Sequence, residues 1–397
     1  MDAPDCVIVI NCGSSSLKFA VFSMPAEQCL MKGIAERLST DDATLKIDHL
    51  TEKSTLVIPG ADHHQAMVAV AAALEGLRPL SIGHRVVHGG EAFSQALRID
   101  EVSIAAIESC SHLAPLHNPA NLIGIRAARL LFPAVPHIAV FDTAFHQSLT
   151  SEAFLYAIPY WLYEEKKIRR YGFHGTSFRY VASESARLLD KSLLDTNVII
   201  MHLGNGCSAC AIRNGKSVDT TMGLTPSEGL VMGTRSGDVD PALHQFLQDH
   251  SGMRLAEITH LLNTQSGLLG ISGLSNDMRT LEQAAAQGHA RAQLAIQIFC
   301  YRLAKSICGL MASLDRLDAF IFTGGIGENS SQIRQLTMHH LQIHGVILDA
   351  ERNLLHGRDH HGAIHDDQSR FACLVVPTNE ELMIARDAYQ AIHFSNS

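Results

Sequence analysis

The chain has 397 residues, 46% of them hydrophobic and 18% charged, with a formal net charge of −9 at pH 7. That length exceeds what one hydrophobic core usually serves, so two domains are expected, and the composition is that of a packed chain and not a disordered one. The acidic balance excludes electrostatic attraction to nucleic acid or an anionic membrane, and nine cysteines, odd in number and scattered through apolar runs, suit reduced thiols in a cytosol.

The acidic start Met1-Asp2-Ala3-Pro4-Asp5 has no signal-peptide character and runs into Cys6-Val7-Ile8-Val9-Ile10, a β-branched run that predicts a buried strand. The strand breaks at residues 11–16 and resumes with alternating character over 17–22, the pattern of a hairpin with a Gly/Ser turn. Helices are expected over 65–77 and 102–110, and a strand over 136–141 ending at Asp142. A second apolar strand, 198–203, breaks at Gly204-Asn205-Gly206-Cys207-Ser208, resumes over 209–212, turns at 213–216 and continues over 217–221. This repeats the opening pattern and suggests two related halves. Helical spacing fills 282–314, a strand covers 319–323, and a last strand over 373–376 leads through Pro377-Thr378-Asn379-Glu380-Glu381 into a C-terminal helix. No apolar run reaches the ~20 residues of a spanning helix, so the expectation is a cytoplasmic protein with no membrane and no nucleic-acid partner.

Glycine and polar residues gather where these strands end, the place where open α/β sheets bind ligands. Gly13 with Ser14, Ser15 and Ser16 would present N–H groups and hydroxyls to a phosphate, with Lys18 as a nearby point charge. Gly204-Asn205-Gly206 and Gly324-Gly325-Ile326-Gly327 are further turns that let a nucleotide approach the backbone. Arg85 sits between His84 and His88 in a run flanked by glycines, and Arg235 lies in Gly233-Thr234-Arg235-Ser236-Gly237. Either could be a structural ion pair; together they suit an anionic transition state. Asp142 ends a strand and could equally cap a helix, and His174 stands in Gly172-Phe173-His174-Gly175. Cys207 and Cys210 have CxxC spacing but lie at a strand entry, so neither redox nor zinc use is expected. The tract with His360, His361 and His365 reads as a surface loop, and His339, His340 and His344 as an exposed helix face.

Ten strings, spread from residue 11 to residue 381, together resemble the acetate kinase family, within the superfamily of sugar kinases, heat-shock chaperones and actin. They are 11–18, 83–90, Leu113-Ala114-Pro115-Leu116-His117-Asn118-Pro119, 141–146, 171–177, 202–206, 233–237, 270–277, 325–329 and 377–381. The resemblance implies a two-domain α/β actin-like ATPase fold, a duplicated ββαβαα unit of ribonuclease H-like type, with an interdomain active-site cleft. It implies an N-terminal domain over 1–148 completed by a C-terminal helix, 378–397. A second domain, over 149–377, would bind the nucleotide and form a homodimer. The implied reaction is reversible, direct in-line phosphoryl transfer between ATP and acetate, giving acetyl phosphate and ADP. Propionate kinase chemistry is the alternative, and a non-enzymatic ATP-binding switch a remote one.

By motif match, Asn11 and Glu380 would hold Mg2+, with Mn2+ able to substitute, and Lys18 would contact ATP phosphate. His202, Leu203, Gly204, Asn205 and Gly206 would bind the nucleotide, with Asp277, Met278, Arg279 and Gly325, Ile326, Gly327, Glu328, Asn329. Arg85 would hold the carboxylate, Asp142 takes the place of the family's active-site aspartate, and His174 and Arg235 would stabilise the transition state. A carboxylate nucleophile is already ionised at neutral pH, so Asp142 is expected to order Mg2+ or water, or to orient Arg85, sooner than to act as a base. Cys12 is expected to face away from ATP, and Met278 to contribute backbone. Val87, Leu116, Phe173 and Pro226 would surround the substrate methyl group. The branched Val87 would crowd a longer chain, which favours acetate and leaves propionate a poorer substrate.

Overall fold

The β-branched run Val7-Ile8-Val9-Ile10 becomes the centre of a sheet, because a strand covered on both faces has no room for polar side chains. The computed structural model describes residues 4–49, 52–115 and 117–393. Its chain divides into two units, Met1–Gln147 with Asn379–Ser397, and Ser148–Thr378.

The first unit holds β1 (Asp5–Cys12), β2 (Ser16–Ser23), β3 (Gln28–Glu36), β4 (Thr44–His49), β5 (Lys53–Val57), β6 (Arg78–Val86), β7 (Leu97–Arg98) and β8 (His137–Phe141), in the order β5-β4-β3-β2-β1-β6-β8-β7. β1 pairs antiparallel with β2 and parallel with β6, which pairs parallel with β8. Ile8, Ile10 and Ile82 face a cluster with Ala127 and Ala128 of the helix Asn118–Leu131 and Ala66 and Met67 of the helix His63–Ala73. The opposite face takes the helix Glu380–His393, which packs on β6, β8 and β1. Gly83 makes that approach possible, since a Cβ there would meet Ile384 Cγ2 at 2.7 Å. The helix is anchored by Arg386, paired with Glu27 at 2.7 Å, and by the Ser81 hydroxyl, which donates to the Ala388 carbonyl.

The second unit holds β9 (Asn197–Leu203), β10 (Cys207–Arg213), β11 (Lys216–Thr220), β12 (Ala319–Thr323) and β13 (Ala372–Val375), in the order β11-β10-β9-β12-β13. β9, β10 and β11 form an antiparallel meander, and β12 and β13 extend it in parallel. This is the plan of β3-β2-β1-β6-β8 again, so the expected duplication is present, with five strands in each sheet core.

Several elements differ from the sequence expectation for identifiable reasons. β3 to β5 carry little apolar alternation, β5 being exposed throughout, and β6 contains Pro79, Gly83, His84 and Arg85, so neither reads as a strand locally. The long helices expected over 282–314 begin earlier and end sooner, as Met278–Ala286 and Ala290–Met311, divided where Gly288 takes φ +89° and the His289 side chain caps the second. At 22 residues that second helix is long and apolar enough to cross a membrane, unlike any run anticipated from the sequence. Ala292, Ala295, Ile296, Phe299, Leu303 and Ile307 recur at helical spacing and are buried, the pattern of a core helix. Cys207 and Cys210 lie buried within β10, all nine cysteines are free, and burial pushes the Cys207 thiol up to about 12.

Two histidines are buried under the first sheet. His84 Nε2 lies 2.9 Å from His137 Nδ1, and His137 Nε2 lies 3.2 Å from the Phe132 carbonyl. A carbonyl only accepts, so His137 is protonated on Nε2 and His84 donates to its bare Nδ1. Burial holds both rings below the ordinary imidazole value; His137 disfavours a charge on His84 further, and on His137 the Phe132 carbonyl, which favours a charge, and Arg129, which opposes it, only partly alter the effect of burial. In the unfolded chain the same rings take up protons near pH ~6.5, so below that pH the unfolded state binds more protons and stability falls. The unfolding temperature is therefore expected to drop between pH 7 and 5.5, and the double variant His84→Gln/His137→Gln to show a shallower drop. An unchanged slope in thermal melts of that variant would place the acid sensitivity elsewhere.

Candidate active site

In the first unit the turn between β1 and β2 is closed by Gly13 N–H donating to the Ser16 carbonyl at 2.8 Å. Across the hairpin Asn11 stands opposite Lys18, so an amide and an ammonium share the strand end. Two buried side chains pin the turn from behind: His63 Nε2 donates to Gly13 O and Asn121 Nδ2 to Cys12 O, each at 2.7 Å. The Cys12 thiol faces the core against Gly124, where a Cβ would overlap it, and burial raises it to about 12. Ser14, Ser15 and Lys18 are exposed.

One strand over, β6 presents Arg85 and β8 delivers Asp142. The Asp142 N–H continues the ladder by donating to the Val86 carbonyl at 3.0 Å, which aims its carboxylate at Arg85. Arg85 Nε lies 3.0 Å from Oδ1 and Nη2 lies 2.7 Å from Oδ2, a two-point ion pair with Asp142 almost wholly buried. Glu380, in the first turn of the C-terminal helix, has Oε2 3.9 Å from Arg85 Nε. Burial alone would make Arg85 easier to deprotonate, but Asp142 and Glu380 more than offset it, so the guanidinium stays charged. Glu380 is pushed up to about 7, by burial first and by its neighbours Asp142 and Glu381, against the pull of Arg85 and Lys18. Val87 is 9% exposed, and its N–H donates to Asn121 Oδ1 at 3.1 Å. Asn121 thus ties the Asn11–Gly13 turn to the residue after β6. Asn118 performs the same service one residue on, accepting from His88 N–H and donating to its carbonyl. Leu116 lies outside the described residues.

In the second unit the turn between β9 and β10 interlocks with the loop that bears Arg235. Asn205 O accepts from Gly233 N–H at 2.9 Å, and Asn205 Oδ1 accepts from Asn276 Nδ2 at 2.9 Å and fills the space where a Gly233 Cβ would stand. Gly206 is open enough for two side chains to lie against it: a Cβ there would be 2.7 Å from Arg235 Nη2 and 3.6 Å from His174 Nε2. His174 stacks on His202 with centroids 4.2 Å apart, and its Nδ1 lies 2.8 Å from Ser208 Oγ. It takes φ +57°, a left-handed backbone for a residue with a Cβ, at the start of the helix Gly175–Leu188. Arg235 Nη1 donates to the Pro226 carbonyl at 2.5 Å, and burial lowers the guanidinium from its usual value. Phe173 is buried and Pro226 half-buried.

The remaining nucleotide candidates divide by what their side chains do. Asp277 caps the helix Met278–Ala286 through the Thr280 N–H and pairs with Arg279, whose bond chiefly lowers its carboxyl. Met278 is buried and Arg279 exposed. Glu328 turns inward: one oxygen accepts from Gly324 N–H at 2.9 Å and Thr378 N–H at 3.1 Å, so that side chain braces the loop. Leu203 and Gly327 are buried, Ile326 is half-buried, and Gly325 and Asn329 are exposed, with nothing within 4 Å of a Gly325 Cβ. Arg334, wholly buried, donates to Gly327 O at 2.8 Å and Glu328 O at 3.1 Å and fixes the end of that turn. His63, Asn121 and Arg334 were not singled out from sequence; the capping residues Asp62 and Gln65 beside His63 are the only local sign of any of them. Among the described residues no three His, Cys, Asp or Glu side chains converge on a metal position, the tract around His360 included.

The arrangement is a carboxylate-oriented arginine with hard oxygen donors in one unit, and glycine turns with an arginine and a histidine in the other. Known proteins resemble the chain over nearly its whole length. A protein named acetate kinase from Ectopseudomonas mendocina is 54% identical over 384 residues, 96% of this chain and 97% of its own. The crystal structure of a propionate kinase from Francisella tularensis matches with a TM-score of 0.93 at 43% identity, covering 97% of this chain and 99% of that one. That of Porphyromonas gingivalis acetate kinase matches at 0.91 and 39% identity, covering 98% of this chain and all of the other. A family model matches residues 6–386 as well, and the chain belongs to the acetokinase family.

Proposed function

We propose that this protein transfers a phosphoryl group between ATP and acetate, giving acetyl phosphate and ADP, directly and reversibly. The observation that carries the reading is Arg85: Asp142 holds two of its nitrogens and leaves the rest of the fork for a second carboxylate. The first unit supplies Arg85 for the acid and Lys18 for a phosphate. The second supplies the turns 202–206, 277–279 and 325–329 for the nucleotide, and His174 and Arg235 for the charge of the moving group. Acetate is ionised near neutrality and needs no base, so Asp142 orients Arg85. His174, held by Ser208, and Arg235, held by the Pro226 carbonyl, are fixed donors that need not reorganise as charge develops. The amide of Asn11 and the carboxylate of Glu380 are hard oxygen donors that fit Mg2+, with Mn2+ as a substitute, and would hold it with phosphate and water completing its shell. When bound, the cation supplies neutralisation of phosphate charge. A cytoplasmic homodimer belongs to the same reading, for which free buried thiols are the support on the first point.

Val87 of the first unit and Phe173 and Pro226 of the second are the apolar side chains assigned, by family resemblance, to the methyl group. Propionate is the second reading, favoured by the likeness to the Francisella tularensis structure. One methylene in an apolar pocket changes kcat/KM by roughly 10–200-fold. With Mg-ATP and hydroxamate trapping of the acyl phosphate, acetate is expected to lead propionate by about tenfold or more in kcat/KM. Propionate in the lead would overturn the acetate assignment, and no hydroxamate from any acid would end the kinase reading. Arg85→Ala and Arg235→Ala are each expected to lower kcat by about 100-fold or more, as groups that act on developing charge. Near-normal turnover in either would remove that arginine from the reaction. Val87→Ala should raise the propionate-to-acetate ratio, and an unchanged ratio would place Val87 away from the acyl chain.

A further inference from the structure

Residues 221–229 form a loop that sequence reading noticed only at Pro226. Two side chains from elsewhere, Arg170 and Tyr156, close it together with its own Glu228. Arg170 Nη1 donates to the successive carbonyls of Thr220, Thr221 and Met222 at 3.0, 3.0 and 3.3 Å, at the end of β11. Its Nη2 pairs with Glu228 Oε1 at 2.6 Å, so the cation that gathers one end of the loop grips the other end as well. The second Glu228 oxygen accepts from the Tyr156 hydroxyl, and the same hydroxyl accepts from Leu224 N–H at 2.8 Å. Gly223 sits inside the closure, where a Cβ would overlap Glu228 Oε2 and Tyr156 Oη. Burial and the Glu228 charge both raise the Tyr156 phenol, which therefore stays a donor.

The closed loop contains Pro226, bonds to Arg235, and holds the backbone just ahead of Phe173 and His174. Gly223 O accepts from Tyr171 N–H at 3.0 Å and Gly172 N–H at 3.3 Å, immediately before Phe173 and His174. Pro226 O receives Arg235 Nη1. Gly229 exchanges hydrogen bonds with Asp238, its N–H donating to Oδ1 at 2.7 Å and its carbonyl accepting from Asp238 N–H at 3.0 Å, which joins the loop to the turn bearing Arg235. A one-residue shift in this loop would move the Pro226 ring and the Arg235 anchor together.

We propose that Tyr156, Arg170 and Glu228 form a clasp that sets the place of Pro226 and the aim of Arg235, making them positioning residues that determine which chain length the carboxylate site accepts. This rests on the carboxylate kinase reading above. None of the three touches the substrate; each acts through the loop. Opening the clasp frees Pro226 to retreat, which relaxes the chain-length limit and weakens hold on the smallest acid, while the nucleotide turn at 325–329, to which the loop makes no bond among those described, is left as it was.

The test compares the parent with Tyr156→Phe, which removes one hydroxyl, Glu228→Gln, which keeps shape and removes charge, and Gly223→Ala, which forces the clasp apart from within. Each is assayed with acetate and propionate at saturating Mg-ATP and with ATP varied at saturating acid, and melted to check folding. The expected result is a KM for acetate raised about fivefold or more, an acetate-to-propionate ratio in kcat/KM lowered about threefold or more, and an unchanged KM for ATP. Tyr156→Phe combined with Glu228→Gln should be little worse than the more damaging single change, because the groups act as a unit. Lower melting temperatures with both ratios unchanged would make the network merely structural and overturn the proposal, as would acid and ATP parameters falling in step. If one variant does not fold, the others decide on the same readouts. A parent that turns over no acid fails the kinase reading and the clasp with it; an active parent whose variants keep its selectivity fails the clasp alone.

Discussion

A guanidinium half-buried at the end of a strand must have a carboxylate, and the pairing of Arg85 with Asp142 meets that demand between β6 and β8. The register sets Arg85 beside Val140 and Val86 beside Phe141, so Asp142 follows two residues past the arginine's partner, on the same face and within reach of its long side chain. A slip of one residue would send Asp142 to the other face and bury an unpaired charge. The sheet register and the chemistry are thus one constraint. The same strand carries Gly83, which admits the C-terminal helix, and that helix begins with Glu380 beside Arg85. Its carboxylate stands in the first turn, where the helix dipole favours a negative charge and moderates the effect of burial.

The two arginines that anchor the reading are held differently. Arg85 is oriented by an ion pair, whereas Arg235 is held by a neutral carbonyl and packed against Gly206. A cation aligned by a dipole keeps more of its charge for an incoming anion than one already paired. In the proposed reaction Arg235 would therefore be the better placed of the two to answer charge that appears only during transfer, and Arg85 to hold a carboxylate throughout.

Duplication supplies the scaffold for both. Each sheet core is an antiparallel meander followed by two parallel strands, and the first hairpin turn carries one glycine in the first unit and two in the second. The copies have diverged in what braces those turns. His63 and Asn121 hold the first from behind, while Gly233 and Asn276 interlock with the second. The loop closed by Tyr156, Arg170 and Glu228 has no counterpart among the hydrogen bonds described for the first unit, and it is there that the second unit adapts to a particular acid.

Local pattern in the sequence determined the central strands, their Gly-rich breaks and the strings that mark the family, because apolar periodicity and glycine are readable within a few residues. It could not determine β3 to β5 or β6, whose side chains are polar or mixed and whose pairing comes from neighbours distant in the chain. Nor did it place the break between the helices after Asp277, which one left-handed glycine and one histidine cap decide. The identity of Asp142 as a candidate was visible, but its engagement with Arg85 was decided by strand register. Glu328 and Asp277 read as nucleotide contacts from the resemblance, and only tertiary packing shows that the first also braces Gly324 and Thr378 and the second also caps a helix. Asn121, Arg334 and the clasp gave no local signal at all, since a single polar residue between apolar ones looks the same whether it meets water or a buried carbonyl. Which of these it meets is set by elements far apart in sequence, and only the folded chain brings them together.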